Sequence, residues 1–327
     1  MNKMRIAVLG AGGLGKAAAQ IISMKEEMSL VAICDSQGFA YCSDGLVVES
    51  IVKLDPKETV GNIVDGERTT DGIGEVIALG GKIDGVFVAL PNLPNEFIPG
   101  VAKRFLKSGF SGVFSDALKR TRAVELMFEL DEEFKKNQSI YLVGCGATPG
   151  LLTAAAVIAA QSFVKIESVD IWWGVGIANW DAYKATIRED IAHLPGYSVE
   201  KAKTMTDVEV EELLDQTEGK LVLHEMEHAD DVLLQRVGVV ESRSQVKVGG
   251  VMDARSAKKP VTTTMTLTGI THDGKRSSHK FMLGDETTMA ANVIGPALGY
   301  LKRAQWMKER GLYGIYGSTE FMPMVVR

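Results

Sequence analysis

Short apolar runs alternate with helical patterns through the first half of the chain. Because each run is bounded by turn residues, we predict buried strands at 5–9, 30–34, 84–90, 112–115 and 139–143. Apolar residues recur at helical spacing between them, and this predicts helices at 44–52, 71–79, 96–107 and 121–136, with 37–41 as a loop. Strands that alternate with helices over short loops predict an α/β fold, a Rossmann-type doubly wound parallel sheet.

The pattern changes near residue 165, where strands begin to follow one another. We predict strands at 168–175, 221–223, 232–239, 245–248, 262–271 and 277–283, a helix at 180–191 and helical structure in two pieces over 198–214. A last helical pattern covers 286–310. These patterns predict a Rossmann domain over 1–150, a mostly antiparallel α+β substrate and dimerisation domain over 151–284, and a helix and tail over 285–327 that return to the first domain.

A glycine motif lies between the first strand and the first helix. Gly10, Gly12 and Gly15 form the pattern G-x-G-x-x-G, with Gly13 and Leu14 inside it. In this setting the glycines allow a tight turn, let backbone approach a pyrophosphate and let the helix pack closely on the strand. The helix N-terminus offers unpaired N–H groups to the phosphates. We therefore predict a dinucleotide site.

Asp35 ends the second strand, about 20 residues beyond the last glycine, as the dinucleotide fingerprint requires. A carboxylate here accepts hydrogen bonds from the adenosine ribose and repels a 2′-phosphate. No cation follows in sequence before Lys53, although Ser36 and Gln37 remain able to bond a phosphate. The sequence predicts NAD, with NADP left open.

Further candidates follow the later strands, since ligands of such sheets lie at the carboxyl ends of the strands. Asp116 and Lys119 follow one strand and are candidates for proton transfer or nicotinamide contact; a helix cap and a surface charge are the alternative. Asn92 is placed to contact the nicotinamide, or else only forms a turn. The predicted cofactor-binding residues are Gly10, Gly12, Gly13, Leu14, Gly15, Asp35, Ser36, Leu90, Pro91, Asn92 and Asp116.

Composition narrows the function class. The net charge is −6 and no dense basic run occurs, so we expect no nucleic-acid partner. Three cysteines without metal or disulfide spacing, and an N-terminus that enters a strand directly, predict a cytoplasmic protein. The most apolar stretch, 151–160, is too short for a membrane span. We expect a small-molecule substrate and a homodimer, with no membrane partner.

Three histidines in the second half are candidate bases. His224 and His228 stand in the order H-E-x-x-H, but the strand-like residues before them do not fit the helix that a zinc protease needs. We expect no metal. We select His193 as the candidate acid or base.

The sequence resembles the saccharopine dehydrogenase-like oxidoreductases, and among these proteins it is similar to meso-diaminopimelate dehydrogenases. The likeness is carried by the glycine loop, by 144–151 and 173–176, and by the C-terminal helix. Shorter matches are Asp181-Ala182, Leu194-Pro195-Gly196-Tyr197, Arg303-Ala304, Met307-Lys308, Gly311 and Gly314. The resemblance implies NAD(P)-dependent hydride transfer at a carbon–nitrogen bond of an amino-acid derivative.

We predict that Pro149-Gly150 starts a helix, with Pro149 in its first turn. The segment around this helix start departs from that family. Diaminopimelate dehydrogenases have Trp-Asp-Pro-Gly where this chain has Ala147-Thr148-Pro149-Gly150, so a partner for a substrate ammonium group is missing. Their Ser-Arg-Arg that supports NADP is missing too. With Cys145, these four residues are the predicted substrate-binding residues.

Two other functions stay open. The segment 35–46 is similar to homoserine dehydrogenases, which place a lysine near the nicotinamide where this chain has Lys119. This favours an aldehyde reductase as one alternative. A dinucleotide-binding sensor without catalysis is the other.

Overall fold

The computed structural model describes residues 3–55, 57–92, 94–178 and 180–327, without the side chains of 181, 182 and 185. Leu93 of the predicted turn therefore lies outside the described residues, as do the side chains of the Asp181-Ala182 match. Contacts divide the chain into unit 1, Met1–Leu151 with Val293–Arg327, and unit 2, Leu152–Asn292. Unit 1 is thus built from both ends of the chain.

Unit 1 contains an eight-stranded sheet with the strand order β13-β7-β6-β5-β1-β2-β3-β4. Six of its strands run parallel, and β3 and β4 add an antiparallel edge. The strands are β1 (Met4–Leu9), β2 (Met28–Cys34), β3 (Gly38–Tyr41), β4 (Gly66–Arg68), β5 (Gly85–Val88), β6 (Val113–Asp116), β7 (Ile140–Val143) and β13 (Gly314–Gly317).

Helices cover this sheet because each presents an apolar face. Phe105, Phe114, Phe134 and Tyr141 pack as a cluster of aromatic rings, with neighbouring centroids 5.2–5.8 Å apart. The helices are α1 (Gly13–Ser23), α2 (Val48–Val52), α3 (Gly72–Ala78), α4 (Phe97–Lys107), α5 (Thr121–Phe128) and α6 (Asp131–Lys136). The predicted doubly wound α/β fold is confirmed.

Three details of unit 1 differ from the prediction. The segment 38–41 is strand β3 rather than a loop; small residues, Gly38 and Ala40, fill its buried positions and hide the strand pattern. The helix predicted over 121–136 is two helices that break between Phe128 and Asp131. The short strands β4 and β13 carry too few residues to give a periodic signal.

Unit 2 has a five-stranded sheet with the order β12-β11-β8-β10-β9. Its central pair, β8 and β10, is parallel and the other pairs are antiparallel, so the sheet is mostly antiparallel as predicted. The strands are β8 (Lys165–Gly176), β9 (Lys220–Leu223), β10 (Val246–Asp253), β11 (Thr264–Ile270) and β12 (Arg276–Met282). The remaining helices of the chain are α7 (Leu151–Ala160), α8 (Lys184–Ile191), α9 (Val199–Thr204), α10 (Asp207–Gln216), α11 (Asp230–Arg236) and α12 (Met289–Lys308).

The strand predicted at 232–239 is wrong, because Asp230–Arg236 forms helix α11. Its apolar residues suit either structure, but Asp230 and Asp231 in the first turn stabilise the N-terminus of a helix. In the part of the chain that the structure describes, no helix combines the length and the apolarity that crossing a membrane requires.

Candidate functional site

The glycine motif joins the carboxyl end of β1 to α1. Gly10 has φ +102°, and a Cβ there would lie 2.4 Å from the Ala89 carbonyl oxygen, so only glycine fits. A Cβ on Gly15 would lie 1.8 Å from the Gly10 carbonyl oxygen. These two glycines therefore set the turn and the close packing of helix on strand.

Gly12 differs from the other two glycines of the motif, Gly10 and Gly15. It is exposed at the N-cap of α1, and no atom lies within 4 Å of the place where its Cβ would be. No side chain caps this helix terminus. Open space next to unpaired N–H groups suits a pyrophosphate, as the sequence predicts.

The Asp35 carboxylate is engaged within its own unit. Its Oδ1 accepts hydrogen bonds from the Thr59 hydroxyl at 2.7 Å and from the Gln37 N–H at 2.8 Å. Its Oδ2 accepts one from the Val60 N–H at 2.8 Å. Asp35 thus joins the turn after β2 to the segment at 59–60. Because its oxygens already accept three hydrogen bonds, few lone pairs are left for the predicted hydrogen bond from the ribose.

The structure brings two other predicted residues together. The Lys119 N–H donates to the Asn92 side-chain oxygen at 3.3 Å, which joins the segments that follow β5 and β6. Leu90 is half-exposed, and Pro91 and Ser36 are exposed. Their contact with a coenzyme, and the catalytic role of Lys119, stay predictions.

Asp116 ends β6 and is fully buried. Its Oδ1 accepts hydrogen bonds from the Gly144 N–H at 2.7 Å and the Leu118 N–H at 3.1 Å, so it holds the segments after β6 and β7 together. Its Oδ2 is buried beside the equally buried Tyr141 hydroxyl. Burial raises the pKa of Asp116 to about 6, against the lowering by these backbone hydrogen bonds. The predicted catalytic and coenzyme roles of Asp116 stay predictions, but the geometry gives it a bracing role.

This burial predicts a pH-dependent stability that an amide would remove. Asp116→Asn keeps an oxygen for both N–H donors, places an NH₂ beside Tyr141 and cannot ionise. The folded wild type holds its proton up to about pH 6, whereas the ordinary pKa is 3.8. Wild-type stability should therefore fall relative to the variant as the pH rises from about 4 through about 6, by roughly 3 kcal/mol in all. Denaturant unfolding of both proteins across this range measures the difference.

Asp84 is a control for which the expected pH dependence of stability has the opposite sign. Burial raises its pKa, but hydrogen bonds from Arg5 outweigh that effect and hold the pKa below its usual value. Wild type should therefore gain stability over Asp84→Asn as the pH rises from the lowered pKa to about 3.8, and the difference should be constant above that pH, so this comparison extends below pH 4. An unfolding free energy that differs between wild type and Asp116→Asn by a constant amount at every pH would contradict the assignment.

The predicted substrate segment forms a tight loop before α7. The Leu151 N–H donates to the Gly146 carbonyl oxygen at 2.9 Å, and Gly150 forms bridges with Gly146 and Ala147. Ala147 and Thr148 are half-exposed, whereas Pro149 and Gly150 are buried. Pro149 is not in the first turn of the helix, since α7 begins at Leu151.

Cys145 is a correction within this segment. Its side chain is fully buried in the core cluster of unit 1, and burial raises the pKa of its thiol. The Cys145 side chain packs against the core rather than facing solvent. The substrate contacts of Ala147, Thr148, Pro149 and Gly150 stay predictions.

Unit 2 contains a buried histidine–carboxylate pair that the sequence analysis did not select. His228 Nδ1 lies 2.6 Å from Asp230 Oδ2, and the other carboxylate oxygen accepts a hydrogen bond from the Thr153 hydroxyl at 2.5 Å. His228 is 4% exposed, and Asp230 and Thr153 are fully buried. In the tautomer that carries its proton on Nδ1, His228 donates to Asp230 and Nε2 has a lone pair. The arrangement of imidazole, carboxylate and hydroxyl is suited to proton transfer.

The other histidines differ from His228. His193 is half-buried in the turn after α8, where its N–H donates to the Asp190 carbonyl oxygen at 3.0 Å, and its catalytic role stays a prediction. The His224 ring lies 5.3 Å from that of Trp172. Residues 224–228 form no helix, so the H-E-x-x-H order is not a zincin motif. The one sequence signal for His228 was an aspartate two residues on, which is too common to select it.

The chain is similar to known proteins in sequence and in fold. A family model described as Glutamate/Leucine/Phenylalanine/Valine dehydrogenase matches residues 1–92. The (S)-8-amino-7-oxononanoate synthase BioU of Haloferax mediterranei is 44% identical over 356 aligned positions that cover 99% of each chain.

Two solved structures share the fold at 16% identity, each covering 98% of this chain and 94% of its own. They are an engineered D-amino acid dehydrogenase bound to NADP⁺, with a TM-score of 0.60, and the diaminopimelate dehydrogenase of C. glutamicum in complex with DAP, with a TM-score of 0.59. The likeness to diaminopimelate dehydrogenases is confirmed for the fold. The saccharopine and homoserine dehydrogenase resemblances stay predictions.

Proposed function

The chain belongs to the family of the (S)-8-amino-7-oxononanoate synthase BioU, and from that premise we propose an enzyme that transfers hydride at a carbon bonded to nitrogen. It is an oxidoreductase, and its cofactor is NAD(P). The open space at Gly12, between the closely packed Gly10 and Gly15, is the observation that carries this proposal. NAD(P), when bound, supplies or accepts the hydride.

The relative is named as the synthase that forms 8-amino-7-oxononanoate, and we propose that this chain forms or consumes a compound of the same chemistry. That compound carries an amine next to a carbonyl carbon, on a chain that ends in a carboxylate. It is an amino-acid derivative, as the sequence analysis expects. The reaction is the reduction of an imine to an amine, or the reverse oxidation, with the imine formed from the carbonyl and an amine with loss of water.

Each unit contains residues that suit this chemistry. In unit 1, the N-terminus of α1 binds the pyrophosphate, and the pair Asn92 and Lys119 orders the segments after β5 and β6. In unit 2, the His228–Asp230 pair is our candidate for proton exchange, with Nδ1 bonded to Asp230 and Nε2 as the exchanging atom. Imine formation and hydride transfer both change the protonation of nitrogen, so a proton donor and acceptor is required.

The proposal is tested by following nicotinamide absorbance with purified protein. NADPH or NADH is mixed with 8-amino-7-oxononanoate, with and without an added amine, and products are identified by mass spectrometry. Diaminopimelate in the oxidative direction tests the substrate of the structural relatives. The control is Gly12→Val. Tight coenzyme binding with no turnover of either compound would contradict an enzyme of this class and favour the sensor.

A homodimer through the sheet of unit 2 is part of this proposal. Phe281 and Met282 on β12 are exposed large hydrophobic residues, and all of β12 is exposed. Sedimentation velocity at micromolar concentration should give the mass of a dimer, and Phe281→Ser with Met282→Ser should shift it toward monomer. A wild-type monomer would contradict this assembly. Cytoplasmic location likewise stays a prediction.

A further inference from the structure

A cation lies beside the turn that follows β2, although none is near in sequence. We propose that Arg68, with Ser36 and Gln37, forms a subsite for the 2′-phosphate of NADP, so that the protein accepts NADP at least as well as NAD. The inference rests on the proposed NAD(P) binding and names the residue that selects the coenzyme. It replaces the preference for NAD that Asp35 predicts.

The topology of the antiparallel edge places Arg68 there. Strand β3 runs back from Gly38, and β4 runs antiparallel to β3, so β4 points in the same direction as β2. Arg68 is the last residue of β4 and pairs with Gly38. The N–H of the next residue, Thr69, donates to the Gln37 carbonyl oxygen at 3.1 Å. Arg68 therefore ends its strand at the edge of the sheet where Ser36 and Gln37 form the turn.

At this edge of the sheet the Asp35 carboxylate is already hydrogen-bonded within unit 1. Its two oxygens accept the three hydrogen bonds from Gln37, Thr59 and Val60 described above. These donors hold its carboxylate toward the segment at 59–60 and partly offset its charge. The ribose 2′ position is then governed by the groups that remain exposed, which are Ser36, Gln37 and Arg68.

The Arg68 guanidinium is oriented by one hydrogen bond and has donors left to bind an anion. Its Nε–H donates to the Asn62 side-chain oxygen at 2.9 Å, and among the described residues its guanidinium makes no further hydrogen bond or ion pair. That one bond orients the planar group and leaves both terminal nitrogens to bind two phosphate oxygens. Glu67, the nearest acid in sequence, points to the opposite face of the strand.

The test compares coenzyme affinities, which need no turnover. Fluorescence titrations with NADPH and NADH are made on wild type, Arg68→Gln, Arg68→Lys and the control Arg276→Gln, an exposed arginine of unit 2. Arg68→Gln should weaken NADPH binding about 10- to 100-fold and leave NADH within about twofold, because only one coenzyme carries the 2′-phosphate. Arg68→Lys should fall between, since it keeps the charge and loses the two-point contact. Adenosine 2′,5′-bisphosphate against 5′-AMP should show the same selectivity.

Two results would overturn the inference: NADPH affinity that Arg68→Gln leaves unchanged, or wild-type binding of NADH at least about tenfold tighter than NADPH. The second would return the choice of coenzyme to Asp35. Failure of wild type to bind either coenzyme would instead refute the proposed function, so the two failures are distinguishable.

Discussion

Replacing Gly12 by valine should abolish coenzyme binding while the protein stays folded. The backbone at Gly12 has φ −71° and ψ −169°, which valine adopts readily, and no atom lies within 4 Å of the new Cβ. The added side chain instead fills the space that the pyrophosphate needs. We expect NADPH and NADH affinity to fall at least about 1,000-fold, or about 4 kcal/mol, by fluorescence titration. Thermal unfolding without coenzyme should change little.

Gly15→Ala is the matched comparison in the same loop. Its Cβ would lie 1.8 Å from the Gly10 carbonyl oxygen, so the backbone must move and the unfolding temperature should fall. The two variants separate a site that is open for a ligand from one that is closed by packing. A Gly12→Val protein that binds NADPH or NADH with wild-type affinity would refute the dinucleotide site.

Replacing His228 by asparagine should remove proton transfer and keep the local hydrogen bond. The asparagine NH₂ can replace Nδ1–H as the donor to Asp230, whereas nothing replaces Nε2. General acid–base groups contribute about 10²- to 10⁴-fold to rate, so we expect kcat to fall within that range. The pH dependence of kcat should be weaker than that of the wild type. These measurements use whichever compound the turnover assay identifies.

Thr153→Val tests the positioning of the pair. It removes the hydroxyl that donates to Asp230 and should lower kcat less than His228→Asn does, with the pH profile of the wild type retained. A purely structural His228 would leave kcat and its pH profile unchanged in His228→Asn, provided that circular dichroism shows the variant to be folded. That outcome would exclude the histidine from catalysis.

The sequence was informative where a function depends on neighbouring residues. The strand, the glycine turn and the helix of 4–23 are local, so their spacing predicts both the structure and the space above Gly12. Asp35 shows where this reasoning ends. Its position at the end of β2 was predictable, but its partners at 59–60 come from another segment, and its carboxylate is held by them.

Distance along the chain also concealed Arg68 and His228. A search for a cation after Asp35 ends at Lys53, whereas the sheet edge brings in a residue from β4. Thr153 and Asp230 are 77 positions apart, so no spacing rule connects them. Residues 232–239 illustrate a different cause, since an apolar run of that length fits a strand or a buried helix equally well.

The last strand of unit 1 has a consequence for how the protein is made. Strand β13 pairs with β7. Synthesis of β7 is complete at residue 143, but its edge stays unpaired until residues 314–317 have been made. A ribosome that proceeds from the N-terminus releases all of Leu152–Asn292 before that partner exists. Throughout that interval β7 has an unpaired edge, the kind of surface to which other chains add. Loss of residues 314–327 would therefore leave the edge of β7 unpaired and the protein exposed to chaperones and proteases, although no residue of the coenzyme loop is missing.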